Sequence, residues 1–295
     1  MHRSVLLQET IDGLDIHDGD TVVDGTLGRA GHAIEAATRA KNVFVIGIDR
    51  DEDALAESER KLSDAGVPHR LFKGNFRDMS TFIAEAGKTS VEKIILDLGV
   101  SSPHLDSSGR GFSFRNDEPL LMTMEKHPGE ESFTARDIVN GWAEEDIANV
   151  IYAYGEERYA RRIAKAIVLR REEKPIETTH DLVSIIESAV PGMYLRGKIH
   201  PATRTFQALR IAVNDELGSL KTALGKAAAL LSPKGRIAVI SFHSLEDRIV
   251  KTAMKEWAKQ GIGEPFTKKP IVPSDAEIAE NPRSRSAKLR IFIKN

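Results

Sequence analysis

An α/β fold, with a parallel Rossmann-like sheet interrupted by an all-helical insertion, follows from three observations on the sequence. Short apolar runs alternate with helical segments as far as Leu98. Three of those runs end in an aspartate. The alternation then stops, and an apolar strand pattern returns only at Arg236. Strands that alternate with helices imply a parallel sheet covered on both faces.

Thr21-Val22-Val23-Asp24 reads as a short buried strand, Gly25 to His32 as a glycine-bearing loop, and Ala33 to Ala40 as a helix. Val43 to Asp49 is a second apolar run ending in an acid, followed by helical composition from Glu52 to Ala65. Arg70-Leu71-Phe72 and Lys93 to Leu98 are the third and fourth strands. Ser101 to Gly111, rich in Ser, Gly and Asp, reads as a loop, and Asp137 to Val190 as helical, with Ile163, Ala166, Ile167 and Arg170 at helix spacing. Ala202 to Leu231 reads as one long helix stopped by Ser232-Pro233-Lys234-Gly235. Arg236 to Ile240 is then a fifth strand, Ser244 to Lys259 a helix and Arg290 to Ile293 a last strand. The expected organisation is a discontinuous domain over residues 1–103 and 206–295, with a helical insertion over 104–205.

The chain has 295 residues, 41% of them hydrophobic, enough for a sizeable core. No run approaches the roughly 20 apolar residues of a membrane span, and the opening Met1-His2-Arg3-Ser4 has no secretory pattern. The absence of cysteine excludes disulfides, thiolate metal sites and a cysteine nucleophile, and fits a cytoplasmic location. A net charge of −2 leaves RNA binding to local basic patches. No His/Asp cluster shows ligand spacing, so no metal is expected. Oligomeric state is not legible.

Asp24 to His32 joins the first strand to the first helix. Its glycines stand at 25, 28 and 31, unlike G-x-G-x-x-G, and G-K-[ST] is absent. Such a loop lets a ligand approach the backbone, and the helix start beyond it offers N–H groups to an anion such as a carboxylate. Asp49 ends the second strand, where an acid accepts from ribose hydroxyls, and Asp97 ends the fourth at the same edge. Together these features point to a nucleoside cofactor and leave S-adenosylmethionine and a dinucleotide both open.

Several blocks carry a resemblance. They are His2 to Leu7, Asp24 to His32, Asp97 to Pro103, Arg110 to Phe114, Tyr154 to Arg158, His200 to Arg210, Ile240 to Arg248 and Asn281 to Arg290. Through them the chain resembles the ribosomal RNA small subunit methyltransferase H family along almost its whole length. The resemblance implies a class I methyltransferase sheet, S-adenosylmethionine as cofactor, and N4-methylation of a cytidine in the decoding region of small-subunit RNA. Carried over by motif, cofactor contacts fall on Ala30, Gly31, His32, Asp49, Phe76, Asp97 and His104. The family has glycine where Ala30 stands and glutamine where His104 stands. Its Pro-Leu-Asp-Met-Arg-Met is here Pro119-Leu120-Leu121-Met122-Thr123-Met124, without the acid and the arginine.

Cytosine's exocyclic nitrogen is a weak nucleophile, so a methylating site must align it and supply acceptors for its N–H groups. The base must also be exposed or flipped out. Asp97, Ser101 and Ser102 are candidates for that role. So is His243 after the fifth strand, although Ser244-x-x-Asp247 beside it resembles a capping box. For RNA contact, Arg158, Arg161, Arg162 and Lys165 share one helix face, and Arg170, Arg171 and Lys174 extend the run. Arg283 and Arg285 add charge near the end of the chain. Arg110, Phe112 and Phe114 set a cation among aromatics in an expected flexible loop, a pattern suited to stacking on an unpaired base. Two other readings stay open. One is a non-catalytic S-adenosylmethionine-binding ribosome assembly factor, motivated by Leu121 and Thr123. The other is a dinucleotide oxidoreductase, which the glycine spacing disfavours.

Overall fold

A computed structural model describes residues 4–99, 108–125, 129 and 132–295. The chain divides into two units, Met1–Gly99 with Leu217–Asn295, and Val100–Glu216.

The first unit is built on one seven-stranded sheet. Its strands are β1 (Thr21–Asp24), β2 (Phe44–Asp49), β3 (His69–Lys73), β4 (Val91–Asp97), β5 (Leu231–Ser241), β6 (Gly263–Pro265) and β7 (Lys288–Lys294), in the order β3-β2-β1-β4-β5-β7-β6. β1 to β5 run parallel, and β7 lies antiparallel to both β5 and β6. This is the Rossmann-like class I methyltransferase sheet that the resemblance implies.

Both faces are covered, which is why the central strands read as continuous apolar runs. Val22 and Ile95 pack with Leu6, Ile11 and Leu14 on one side. Val23, Ile94 and Leu96 pack with Met79, Leu224, Val250 and Trp257 on the other. A fully buried aliphatic side chain contributes on the order of 2 kcal/mol. A one-residue slip would exchange the two faces, so the register is strongly specified.

The second unit is helical, with Ala135–Gly141, Glu144–Gly155, Ala160–Glu173, Thr179–Ala189 and Ala202–Asn214 around a core of its own that includes Ile147, Ile163, Leu182, Ile186 and Phe206. Thr134 with Asp137, and Thr178 with Asp181, form capping boxes that start two of these helices. At Gly155 a Cβ would lie 2.5 Å from the Arg204 carbonyl oxygen, so only glycine allows this approach of two helices.

Three features differ from the sequence reading. A helix at Leu7–Leu14 is present that was not expected. The single helix expected from Ala202 to Leu231 is broken at Asp215, which sits in the left-handed region at φ 46°. The break is held by Asn214, whose side chain donates to the Met122 and Arg210 carbonyls and accepts from the Met124 amide. Arg210 closes it with a paired contact to Glu216 at 2.8 and 2.9 Å. Last, the stretch expected to be only a helix stop already belongs to β5, because Leu231 pairs with Val91 across an irregularity in the ladder.

Candidate active site

Asp24, Asp49 and Asp97 end β1, β2 and β4 at one edge of the sheet. The loop after β1 is tied over that edge by backbone bonds from Gly25 to Ile95 (2.9 Å) and from Leu27 to Ile48 (3.0 Å). Side chains complete it. The Gly28 amide donates to Asp49 Oδ2 at 2.7 Å and the Asp97 amide to Thr26 Oγ1 at 2.6 Å. The three strand ends and the loop are therefore one hydrogen-bonded assembly.

Ala30 closes the loop as the cap of the helix Gly31–Thr38, in the left-handed region at φ 59°. A glycine there would be free of the strain, of order 1 kcal/mol, that a Cβ brings. The Ala30 methyl is fully buried with Leu27, Ala33, Val45 and Leu62, so any cofactor contact at this position is made by its backbone. Gly25 lies under Leu96 and Phe76, where a Cβ would come within 2.6 and 3.0 Å of their side chains. Phe76 is half-buried in a 3-10 turn that Asn75 caps through the Arg77 amide.

The edge is electrostatically unusual. Burial, opposed by the Thr26 amide and reinforced by Asp49, pushes the Asp24 carboxyl up to about 7. Burial, Asp24 and Glu246 together hold Asp97 well above the usual carboxylate range. Asp97 Oδ1 is buried and, among the described residues, has no hydrogen-bond partner. An acceptor left unmet in this way is costly unless a ligand satisfies it. Asp97 Oδ2 lies 3.8 Å from His32 Nδ1. His32 Nε2 is 3.2 Å from the Val5 carbonyl oxygen, which only accepts, so Nε2 carries the proton and Nδ1 faces Asp97. The edge concentrates carboxyls whose charged forms burial and mutual repulsion disfavour, a penalty that a cation or N–H donors at the site would relieve.

His243 stands at the same edge, after β5, and its Nε2 is buried with no hydrogen-bond partner among the described residues. It is itself the cap of the helix Ser244–Lys259, in a box with Glu246 in place of the expected Ser244 and Asp247. Its Nδ1 accepts from the Glu246 amide, and Glu246 Oε2 accepts from the Phe242 and His243 amides. Asp247 is instead drawn to Arg290 (2.7 Å) and Lys288 (3.4 Å). Glu246, buried at 2% exposure, was not singled out in the sequence, although its i+3 spacing from His243 was the available signal. Ser101, Ser102 and His104 lie outside the described residues.

In the helical unit, Arg110, Phe112 and Phe114 lie in irregular chain as expected, but the first two are buried instead of presented to solvent. Arg110 is 7% and Phe112 6% exposed. Arg110 donates to the Thr123 and Met124 carbonyls (3.3 and 2.9 Å) and lies 5.5 Å from the Phe112 ring centroid. Phe114 stacks on His200 at 4.6 Å and meets Phe206 edge-on. These residues brace the unit. Arg110→Ala is therefore expected to cost about 1–3 kcal/mol of stability through the carbonyls it strands, seen as a lower urea midpoint. A variant whose urea midpoint matches that of the unmutated chain would count against this bracing role.

Arg158, Arg161, Arg162 and Lys165 are all exposed. The helix begins at Ala160, so Arg158 lies in the turn before it, its guanidinium 4.8 Å from the Tyr159 ring and 5.0 Å from the Tyr194 ring. Tyr194, absent from the sequence reading, donates to the buried Glu157. Burial and then Glu157 push its hydroxyl up to about 12. Beyond Lys165, Arg170 pairs with Glu173 on the surface and Arg171 is tied to the Val139 and Trp142 carbonyls, while Lys174 is exposed. Arg283 and Arg285 sit in a 3-10 turn, Pro282–Ser286, of the first unit.

Comparison with known proteins places this geometry. Ribosomal RNA small subunit methyltransferase H of Deinococcus deserti is 50% identical over 98% of this chain and 92% of its own length. The protein of the same name from Geobacter sulfurreducens is 49% identical over 98% of this chain and 97% of its own. A solved rRNA methylase from Streptococcus thermophilus aligns at 13% identity over 100% of this chain and 98% of that one, with a TM-score of 0.46. The MraW methylase family model matches residues 1–295. With that match over its full length and relatives near half identity, the chain belongs to the MraW methylase family.

Proposed function

We propose that this chain uses S-adenosylmethionine to methylate N4 of a cytidine in the decoding region of small-subunit ribosomal RNA, and that it works in the cytoplasm. The observation that carries the reading is Asp97, an acceptor at the sheet's carboxyl edge whose buried Oδ1 has no partner among the described residues. The choice of cytidine rests on the family resemblance, and the RNA on the names of the relatives.

The residues present fit the cofactor. Ala30, Gly31 and His32 offer the backbone and N-terminus of a helix to its carboxylate. Asp49 and Phe76 flank the same loop, and the acids Asp24 and Asp97 favour a cation. When bound, the cofactor supplies an electrophilic methyl group on a positively charged sulfur. Asp97 accepts from the target amino group, which draws its lone pair out of the ring, and takes up the proton it releases. His32, oriented by the Val5 carbonyl, stands beside Asp97 with Nδ1 3.8 Å from Oδ2. The exposed cations Arg158, Arg161, Arg162 and Lys165 are proposed RNA contacts of the helical unit.

The test is transfer of labelled methyl from S-adenosylmethionine to small subunits lacking the modification, read by nucleoside mass spectrometry. The expected product is N4-methylcytidine. A second reading, a non-catalytic assembly factor, is favoured by Leu121 and Thr123, the latter 4% exposed and accepting from the Glu125 amide. It predicts cofactor binding with no labelled product.

A further inference from the structure

We infer that a cavity beside β6 and β7 binds a phosphate-bearing nucleotide of the substrate RNA, a few nucleotides from the base that is methylated. This rests on the reading of function above. The cavity measures about 420 Å³, and Lys251, Lys255, Lys268 and Arg290 line it together with Met254 and Pro265. Small-ligand sites fall roughly between 300 and 1,000 Å³.

The lining is built from three places in the chain. Lys251, Met254 and Lys255 recur at i, i+3 and i+4 on the helix Ser244–Lys259 and so share one face. Pro265 ends the edge strand β6 and Lys268 follows it. Arg290 belongs to β7 and is held by Asp247, whose carboxyl its contacts and Lys288 keep below the ordinary range against the opposing effect of burial. Lys251, Lys255 and Lys268 are exposed and have no hydrogen-bond or ion-pair partner among the described residues. Glu264 is the single acid in the lining. Three unpaired ammonium groups over an apolar floor, in a chain whose net charge is −2, form a local concentration of positive charge that folding does not neutralise.

The chemistry that matches such a site is a flat ring against Met254 and Pro265 with its phosphates at the lysines. Unpaired RNA offers both at once. The position agrees. Ser241 pairs with Lys288 and Ile240 with Asp97, so β7 begins at the edge where β4 delivers Asp97. From β4 to β6 is three strand spacings, about 14 Å across the sheet, and Pro265 is level with Ile94, three residues or about 10 Å down the strands from Asp97, so the two lie about 17 Å apart, a separation that one strand of RNA spans within a few nucleotides.

The test compares two triple variants of the full chain. Lys251→Gln with Lys255→Gln and Lys268→Gln removes the proposed contacts. Lys221→Gln with Lys234→Gln and Lys259→Gln removes three exposed lysines of the same unit elsewhere. Binding to unmodified small-subunit RNA is measured against salt, with thermal melting as the check on folding. The cavity triple is expected to bind about tenfold more weakly and to make the log–log salt slope shallower by about 2, from roughly 0.7 per single-strand phosphate lost. It should raise KM for subunits while kcat and cofactor affinity stay within twofold. The control triple is expected to change the slope by less than half as much. Equal slopes for the two triples, or no RNA binding by the unmutated chain, would overturn the inference. Lys268→Gln alone, on a loop, repeats the test where no helix can be disturbed. Failure of the functional reading is seen separately, as no methyl transfer by the unmutated chain, and the binding slopes still decide the cavity.

Discussion

Asp97→Asn is expected to lower kcat for methyl transfer by about a hundredfold to ten-thousandfold, the range for loss of a positioned proton acceptor, while cofactor affinity changes less than tenfold. Asparagine keeps the shape, and the Asp97 amide still donates to Thr26. What is lost is the ability to take a proton, together with one of two acceptor oxygens. Folding does not confound the result, because the change removes a carboxyl that burial, Asp24 and Glu246 disfavour in its charged form. The pH profile adds a second reading. The ionised carboxyl is the acceptor and its titration is displaced upwards, so the unmutated rate rises with pH over a range above that of an ordinary aspartate. A bound sulfonium acts in the opposite sense and moves that rise to lower pH. The variant should lose the rise. Residual kcat within fivefold of the unmutated chain, with the same pH profile, would move the acceptor role away from Asp97.

What the sequence made legible was what local pattern determines. Each strand expected from an apolar run is present, and all three acids that end strands arrive at one edge. Long-range partners decided the rest. The sequence offers two overlapping boxes, Ser244 with Asp247 and His243 with Glu246, and tertiary structure selects the second because Arg290, 43 residues away along the chain, takes Asp247. Arg110 reads as exposed in a Gly- and Ser-rich stretch, but carbonyls 13 and 14 residues further on bury it. The break at Asp215 has a local signal, since Asn214-Asp215 are residue types that tolerate the left-handed region. Around the cavity only the i, i+4 spacing of Lys251 and Lys255 was legible, because Lys268 and Arg290 join them through the packing of the helix on an antiparallel strand.

Asp24→Asn is expected to stabilise the free protein above neutral pH and to weaken its preference for a cationic cofactor. In the unfolded chain Asp24 loses its proton near the ordinary aspartate value of 3.8, whereas in the folded chain it keeps it to about 7. Between these values the native state binds the extra proton, so stability falls as pH rises and the loss is complete above the upper value. At about 1.4 kcal/mol per pH unit the interval amounts to about 4 kcal/mol. Asparagine does not titrate, and its side-chain oxygen can still accept from the Thr26 amide as Asp24 Oδ1 does at 3.1 Å. The melting curves of variant and unmutated chain should therefore nearly coincide at pH 4 and separate by on the order of 5 °C at pH 8. Parallel curves across that range would show that Asp24 does not titrate abnormally. The functional half follows from the same charge. Asp24 is one of the groups that hold Asp97 up, and ionising both acids beside a bound cation relieves their mutual repulsion. Binding of S-adenosylmethionine relative to its neutral demethylated product should strengthen as pH rises through 7 in the unmutated chain and change less in the variant. A buried acid that destabilises the empty fold is then retained because the cation it receives restores what the fold gives up.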